Sequence, residues 1–268
     1  MKKILDDIVL NKRLEVEIRK PLYPVEQFEH SPFFYRQPLS MADFILNDAN
    51  NGIVAEFKRR SPSKGLINGT AEPGQVTSQY TKHGAAALSV LTDQDYFAGS
   101  DNDLRLVAEN RTIPLLRKDF TVDSYQILEA RALGADAILL IAAILSINEV
   151  RDLSRLARSL GMEVLLELHG EEEFDKIDTD IQLIGINNRN LQSFEVSIEH
   201  SIRLAEKLPA DKVRIAESGI HSAETLVELR NNGFDGFLIG ERFMREAEPG
   251  EAFRLFNEQV SELKKRPL

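Results

Sequence analysis

Five ionisable side chains end short apolar runs of the sequence, where unpaired charges are rare. They are Glu56, Lys58, Lys118, Glu167 and Glu217. A buried charge without a partner is strongly destabilising, so two lysines and three carboxylates at such positions indicate a functional site. A lysine can donate a proton or form an imine, and a carboxylate can accept a proton. The pattern predicts acid–base or imine chemistry.

The spacing of these residues suggests specific pairs. Glu56 and Lys58 are two residues apart, so in a strand they face the same side and can pair. Lys118 has two alternative interpretations, a reactive group or a strand-end lysine paired with Asp119. Glu167 ends the run VLLEL and is a candidate general acid or base. We therefore expect the pair and the two single residues to meet at one rim.

His169 follows Glu167 by two residues and could compete for its role. We favour the alternative that His169 caps the following acidic helix start, with Glu171 to Glu173 as a solvated first turn. None of the five histidines has H-E-x-x-H spacing, and there is no cysteine. The sequence therefore predicts no metal site.

Two glycine-containing segments suggest where an anion binds. Ser218-Gly219 and Gly240-Glu241 follow the last two apolar runs, and glycine lets the backbone approach an anion closely. The basic segment KRRSPSKG follows the first run, and its expected contacts are Ser61 and Lys64. In each case the alternative is an ordinary surface loop.

Eight short apolar runs alternate with amphipathic segments from residue 52 onward, which is typical of βα units around a parallel sheet. The runs cover residues 52–58, 86–92, 113–118, 136–141, 162–168, 182–187, 212–217 and 235–240. Eight such units close a barrel whose active site lies at the carboxyl ends of the strands. We predict an α/β protein, a single (β/α)₈ TIM barrel over residues 51–268, with an N-terminal helical extension over residues 1–50.

Composition limits the function classes. A net charge of -10 argues against a nucleic-acid surface, and the absence of cysteine suits a reducing compartment. The first twenty residues carry charges throughout, which is typical of an amphipathic helix and not of a signal peptide or membrane span. We therefore expect a cytoplasmic protein with no membrane partner. The extension can either plug the bottom of the barrel or roof its top.

The ordered segments of the chain resemble the indole-3-glycerol phosphate synthase family. The resemblance covers nearly the whole chain and is carried by VAEFKRRSPSKG, ALSVLTDQDYFAGS, PLLRKDF, ILEARALGADAILLI, LLELHGEEE, IGINNRNL, VRIAESGI and FLIGERFM. It implies ring closure of 1-(2-carboxyphenylamino)-1-deoxyribulose 5-phosphate to indole-3-glycerol phosphate, carbon dioxide and water, in tryptophan biosynthesis. It also implies that neither a cofactor nor a metal is needed.

The resemblance assigns roles to individual residues. Lys118 would be the general acid, Lys58 would hold the substrate carboxylate and later donate a proton, and either Glu56 or Glu167 would be the base. The substrate-binding residues would be Asn187, Arg189, Glu217, Phe120 and Ser61. The phosphate-binding residues would be Ser218, Gly219, Gly240 and Glu241, with Glu241 contributing only its backbone N–H.

Two other functions remain compatible with the residues. A Schiff-base aldolase also uses a strand lysine near an acid, and a catalytically silent barrel could serve as a scaffold. The aldolase does not need the SPSKG and NNRNL segments together, and the scaffold does not need the charged rim. The expected partner is a small phosphorylated aromatic substrate. The sequence leaves open whether the chain is a monomer or associates weakly with other enzymes of tryptophan synthesis.

Overall fold

Eight parallel strands close into a barrel in which strands consecutive along the chain are neighbours. The computed structural model describes residues 2–189 and 196–265. The barrel strands, numbered first to eighth, are Ile53–Phe57, Ala87–Leu91, Leu115–Lys118, Ala137–Ile141, Glu163–Leu168, Leu183–Asn187, Val213–Glu217 and Gly236–Ile239. The predicted (β/α)₈ fold is confirmed, and each strand lies within its predicted run. A short antiparallel ribbon, Arg60–Ser61 with Gly65–Leu66, follows the first strand.

Helices alternate with the strands, and their ends carry the expected signals. Asp123 and Ser146 each form a capping box, and the left-handed Gly134 ends the helix that Asp123 begins. The helices, α1 to α11, are Lys2–Leu22, Met41–Leu46, Pro73–Lys82, Gln94–Phe97, Asp101–Asn110, Ser124–Leu133, Ile147–Ser159, Ile198–Ala205, Ala223–Asn231, Glu241–Met244 and Pro249–Lys264. Short 3₁₀ helices cover Val25–His30, Ala142–Ile144 and Glu171–Lys176.

The bottom of the barrel is closed by α2. Its Met41, Ala42 and Ile45 are buried with the apolar side chains that fill the barrel interior. The Glu163 carboxylate, at the start of the fifth strand, accepts hydrogen bonds from the backbone N–H groups of Met41 and Ala42 at 2.6 and 3.1 Å. This part of the extension is therefore a plug.

The top of the barrel is covered by α1. Its Ile8, Lys12 and Val16 are buried, and Ile8 lines the pocket at the carboxyl ends of the strands together with Ile4 and Leu5. The extension thus acts both as a plug and as a roof, the two alternatives that the sequence left open. No helix in the described part of the chain is long and apolar enough to cross a membrane.

Candidate active site

The five predicted ionisable residues meet at the carboxyl end of the barrel. Lys118 Nζ lies 3.3 Å from Glu217 Oε2 and 3.6 Å from Glu167 Oε2, and Lys58 Nζ lies 2.7 Å from Glu56 Oε1. The three carboxylates are buried, whereas both lysines remain partly exposed toward the pocket. The expected pairing of Glu56 with Lys58 is confirmed. Parallel strands bring these residues together because their carboxyl ends share one rim.

Glu167 and Glu217 have opposite pKa shifts, although both contact Lys118. Burial alone would raise the pKa of Glu167, but Lys118, His169 and the Asn187 amide hold it below its usual range. Burial raises the pKa of Glu217 to about 8, with added repulsion from Glu167 and Glu56, despite the attraction of Lys118. Pairs of carboxyl groups whose pKa values are pushed apart are typical of acid–base sites. Of the two carboxyl groups beside Lys118, Glu167 is thus held as a carboxylate, and Glu217 has the higher proton affinity.

Lys118 is held in its ammonium form. Burial alone would lower its pKa, but the charges of Glu217, Glu167 and Glu56 together raise the pKa above its ordinary value. Three carboxylates around Lys118 thus outweigh the cost of its burial. A partly exposed ammonium directed into a pocket can protonate or stabilise a developing oxyanion.

The loops after the seventh and eighth strands bring backbone close to the pocket. Ser218 and Gly219 have φ angles of 68° and 72°, a left-handed conformation that is costly for serine and is often found at functional sites. A Cβ atom on Gly240 would lie 2.6 Å from Glu56 Oε1, so only glycine fits there. Glu241 lies between two cations, with its carboxylate oxygens 3.8 Å from Lys64 Nζ and 3.8 Å from Arg189 Nη2.

The opposite wall of the pocket is apolar. Phe120 and Phe97 pack together with their ring centroids 6.0 Å apart, and both line the pocket beneath the roof formed by α1. Aromatic rings stack favourably on such faces. The pocket therefore joins an apolar wall, a charged rim and a glycine-containing edge.

All thirteen predicted site residues line this one pocket. They are Glu56, Lys58, Ser61, Lys118, Phe120, Glu167, Asn187, Arg189, Glu217, Ser218, Gly219, Gly240 and Glu241. Asn187 donates a hydrogen bond of 2.9 Å to Glu167 Oε1, and buried Ser61 has its hydroxyl 3.4 Å from that of Ser63. The last two residues of the quoted segment IGINNRNL, 190 and 191, lie outside the described residues.

Comparison with known proteins agrees with this geometry. The family model described as indole-3-glycerol phosphate synthase matches residues 5–256. The chain is 46% identical over 256 residues to the indole-3-glycerol phosphate synthase of Bacteroides thetaiotaomicron, covering 96% of this chain and 98% of that protein. It is 44% identical over 252 residues to the synthase of Salinibacter ruber, covering 93% of each chain. The chain belongs to the indole-3-glycerol phosphate synthase family.

Membership of the synthase family places the chain among the decarboxylating lyases of tryptophan biosynthesis, whose substrate is a phosphorylated aromatic compound. The family expected from the sequence is confirmed. The barrel is also similar to the tryptophan synthase alpha chain of Legionella pneumophila, with a TM-score of 0.62 and 14% identity, covering 85% of this chain and 100% of that one. At this identity the likeness shows the fold alone.

The contacts decide two points at the rim that the sequence left open. Lys118 does not pair with Asp119, because the Asp119 carboxylate is held by Lys12 and Arg117. Lys64 is not among the pocket-lining residues, and its side chain is 55% exposed while it pairs with Glu241. The basic loop thus contributes Ser61 and not Lys64 to the pocket.

The prediction that His169 caps a helix is wrong. Its Nε2 lies 3.2 Å from Glu167 Oε1, because residues two apart along an extended chain face the same side. The Glu171 to Glu173 run is also not wholly solvated. Buried Glu173 accepts a hydrogen bond of 2.7 Å from the His169 backbone N–H. His169 is therefore part of the environment of Glu167.

Sequence reasoning missed several residues that line the pocket. Phe97 and the α1 residues Ile4, Leu5 and Ile8 have no polar group that would mark them in a sequence. Gly185 had a detectable signal, a glycine inside a buried strand. A Cβ atom there would lie 2.1 Å from Glu217 Oε1, so its absence makes room for that carboxyl group.

Proposed function

We propose that this pocket closes the indole ring of 1-(2-carboxyphenylamino)-1-deoxyribulose 5-phosphate, releasing carbon dioxide and water and leaving indole-3-glycerol phosphate. The observation that carries the proposal is the Lys118 ammonium, which lies between Glu167 and Glu217 at 3.6 and 3.3 Å and faces the pocket. The reaction needs a proton donor at a carbonyl oxygen, and this group is held in its donor form.

The first step forms the carbon–carbon bond. The aromatic carbon that bears the carboxylate attacks the ribulose carbonyl carbon, and the carbonyl oxygen accepts a proton from Lys118 to become a hydroxyl. An ammonium stabilises the developing negative charge on that oxygen more strongly in a partly buried site than in water. Once Lys118 is neutral, the Glu167 carboxylate beside it can take up a proton from solvent and pass it to the lysine.

The next two steps restore aromaticity. The bond to the carboxyl group breaks, carbon dioxide leaves, and its electron pair returns to the ring. The new hydroxyl then leaves as water after accepting a proton from Lys58, while a carboxylate takes the proton from the neighbouring ring carbon. The 2.7 Å contact of Lys58 with Glu56 supports this pair as the donor and acceptor, with Glu167 serving Lys118.

Different parts of the pocket would bind different parts of the substrate. Phe120, beside Phe97, would pack on the aromatic ring, while Asn187 and Arg189 would line the middle of the substrate. Backbone N–H groups of Ser218, Gly219, Gly240 and Glu241 would surround the phosphate, with the Ser61 hydroxyl opposite. The left-handed backbone at Ser218 and Gly219 supports this assignment, because it directs consecutive N–H groups to one side.

The same geometry argues against an imine-forming lysine. A Schiff base requires the neutral amine, whereas the carboxylates around Lys118 raise its pKa. Sodium borohydride with a carbonyl substrate should therefore trap no adduct at Lys118. A trapped adduct would favour the aldolase instead.

The direct test is turnover by the purified chain. We expect indole-3-glycerol phosphate to form from the carboxyphenylamino-deoxyribulose phosphate with a chelator present, followed by product fluorescence. Replacing Lys118→Ala should lower kcat by about 10³-fold or more, because the proton donor and its charge are both lost. No turnover by the unmodified chain would contradict the proposal.

A further inference from the structure

A buried lysine of the extension joins three separate elements at the top of the barrel. Lys12, on α1, is 1% exposed. Its Nζ lies 3.1 Å from Asp93 Oδ2, 3.0 Å from Asp119 Oδ1 and 2.7 Å from Glu15 Oε2. Asp93 follows the second strand and Asp119 follows the third. One ammonium thus connects the roof helix to two loops of the rim.

Both loops carry an aromatic wall of the pocket. Asp93 caps α4 by accepting a hydrogen bond of 2.8 Å from the Tyr96 backbone N–H, and α4 ends with Phe97. Asp119 accepts a hydrogen bond of 2.8 Å from the backbone N–H of Phe120. The two carboxylates that Lys12 holds therefore fix the backbone beside the two rings.

The roof itself depends on the same contact. Ile4, Leu5 and Ile8 precede Lys12 by one to two turns of α1 and line the pocket. Ile8 and Lys12 are one helical turn apart, so they share the face of α1 that points to the barrel. Displacing Lys12 would move the apolar roof and both aromatic side walls together.

The electrostatics support a fixed and not a transient contact. Burial alone would lower the pKa of Lys12, but Asp119, Asp93 and Glu15 raise the pKa above its ordinary value. Removing the ammonium would leave Asp93 without a cationic partner among the described residues, while Asp119 would keep Arg117 at 3.4 Å and the Thr92 hydroxyl at 2.6 Å. The loop after the second strand would then lose more of its stabilising contacts than the loop after the third strand.

We propose that Lys12 is a positioning residue for the aromatic end of the substrate: it holds the α1 roof and the loops bearing Phe97 and Phe120 in one arrangement. This inference rests on the proposed function. It assigns to the N-terminal helix a role in binding the ring, separate from the chemistry at Lys118 and from the phosphate loops.

The test compares Lys12→Met with Arg111→Met. Arg111 is also a buried cation, but it pairs with Asp136 at the bottom of the barrel, away from the pocket. We expect Lys12→Met to raise KM about tenfold, with kcat changed by less than about threefold, because a misplaced wall weakens binding more than proton transfer. Arg111→Met should lower the Tm and leave KM unchanged.

Two fragments distinguish the ends of the pocket. Competitive inhibition by 2-aminobenzoate should weaken in Lys12→Met by about the same factor as KM, whereas inhibition by inorganic phosphate should not change. If Lys12→Met does not fold, Lys12→Met/Asp93→Asn removes the charge that is left without a cation and is measured in the same way.

Unchanged KM and fragment affinities in a folded Lys12 variant would overturn the inference and leave Lys12 as a structural ion pair. Equal weakening of both fragments would also overturn it, because the ring end would not be singled out. Absence of turnover in the unmodified chain would instead contradict the proposed function, so the two failures can be told apart.

Discussion

The two ends of the barrel both bury charges, but they satisfy them differently. At the bottom, the Asp136 carboxylate accepts hydrogen bonds from the backbone N–H groups of Leu39 and Leu115 at 2.9 and 2.8 Å and pairs with Arg111. At the top, Glu167 and Glu217 share Lys118, and Glu217 Oε1 has no hydrogen-bond partner among the described residues. Both oxygens of the Asp136 carboxylate are therefore occupied, whereas Glu217 keeps one free oxygen.

This difference separates structural charges from reactive ones. A carboxylate whose oxygens are all occupied cannot accept a proton or a substrate without losing native contacts. A carboxyl group with a free oxygen beside a lysine can do so, at a cost in stability that the rest of the fold must offset. We therefore expect substitutions at the bottom to affect stability and those at the top to affect turnover.

The largest effect should come from breaking the bottom cluster. Asp136→Asn leaves buried Arg111 without its counter-ion and should lower the free energy of unfolding by about 3–5 kcal/mol. Urea denaturation would measure this loss, and kcat of the remaining folded enzyme should be unchanged. A fall in kcat without loss of stability would contradict the comparison.

Glu167→Gln tests the top cluster with a substitution of nearly equal shape. The amide can keep contact with Asn187 but cannot accept a proton, so kcat should fall about 10²-fold, equivalent to about 2.7 kcal/mol. Stability should change less than in Asp136→Asn. Steady-state kinetics would measure kcat, and the same urea titration would measure stability. Full activity of the variant would show that Glu167 takes no part in proton transfer.

Glu217 should make stability depend on pH. Burial raises its pKa from 4.5 to about 8, so between these values the folded chain keeps a proton that the unfolded chain has lost. Stability therefore falls as pH rises through this window, by at most about 1.4 kcal/mol per pH unit. The matched variant Glu217→Gln should lose this component, measured as a shallower fall in Tm from pH 5 to pH 8. Parallel Tm curves for the two proteins would show that Glu217 does not titrate in this range.

The smallest effect should come from Glu241→Gln at the outer edge of the pocket. The Glu241 carboxylate is 3.8 Å from both Lys64 and Arg189, and partly exposed pairs of this kind contribute less than about 1 kcal/mol. Removing its charge should leave Tm unchanged and lower KM by less than about fivefold, since a negative group near the phosphate is lost. An increase in KM would show that the carboxylate itself supports binding.

Much of the rim could be predicted because strand ends are recognisable in sequence. Glu56, Lys118 and Glu217 stand in apolar runs, and the parallel fold forces such positions together. The partner of Lys118 could not be predicted, because Asp119 is adjacent in sequence but its side chain joins the cluster around Lys12 and Arg117. The prediction for His169 was wrong for a similar reason. The acidic residues that follow it suggested a helix start, whereas the extended backbone directs its side chain to Glu167.

The sequence by itself determined the βα rhythm and the barrel, because these depend on local periodicity and on the common rim of parallel strands. Its resemblance to a family indicated thirteen of the residues that line the pocket. The tertiary structure alone decided which charges pair, in which direction the pKa of each buried carboxyl group shifts, and how α1 and α2 cover opposite ends of the barrel. Those outcomes depend on distances of a few ångströms between residues that are far apart in the chain. Ion pairing and burial are sensitive to such distances, and the spacing of residues along the sequence does not encode them.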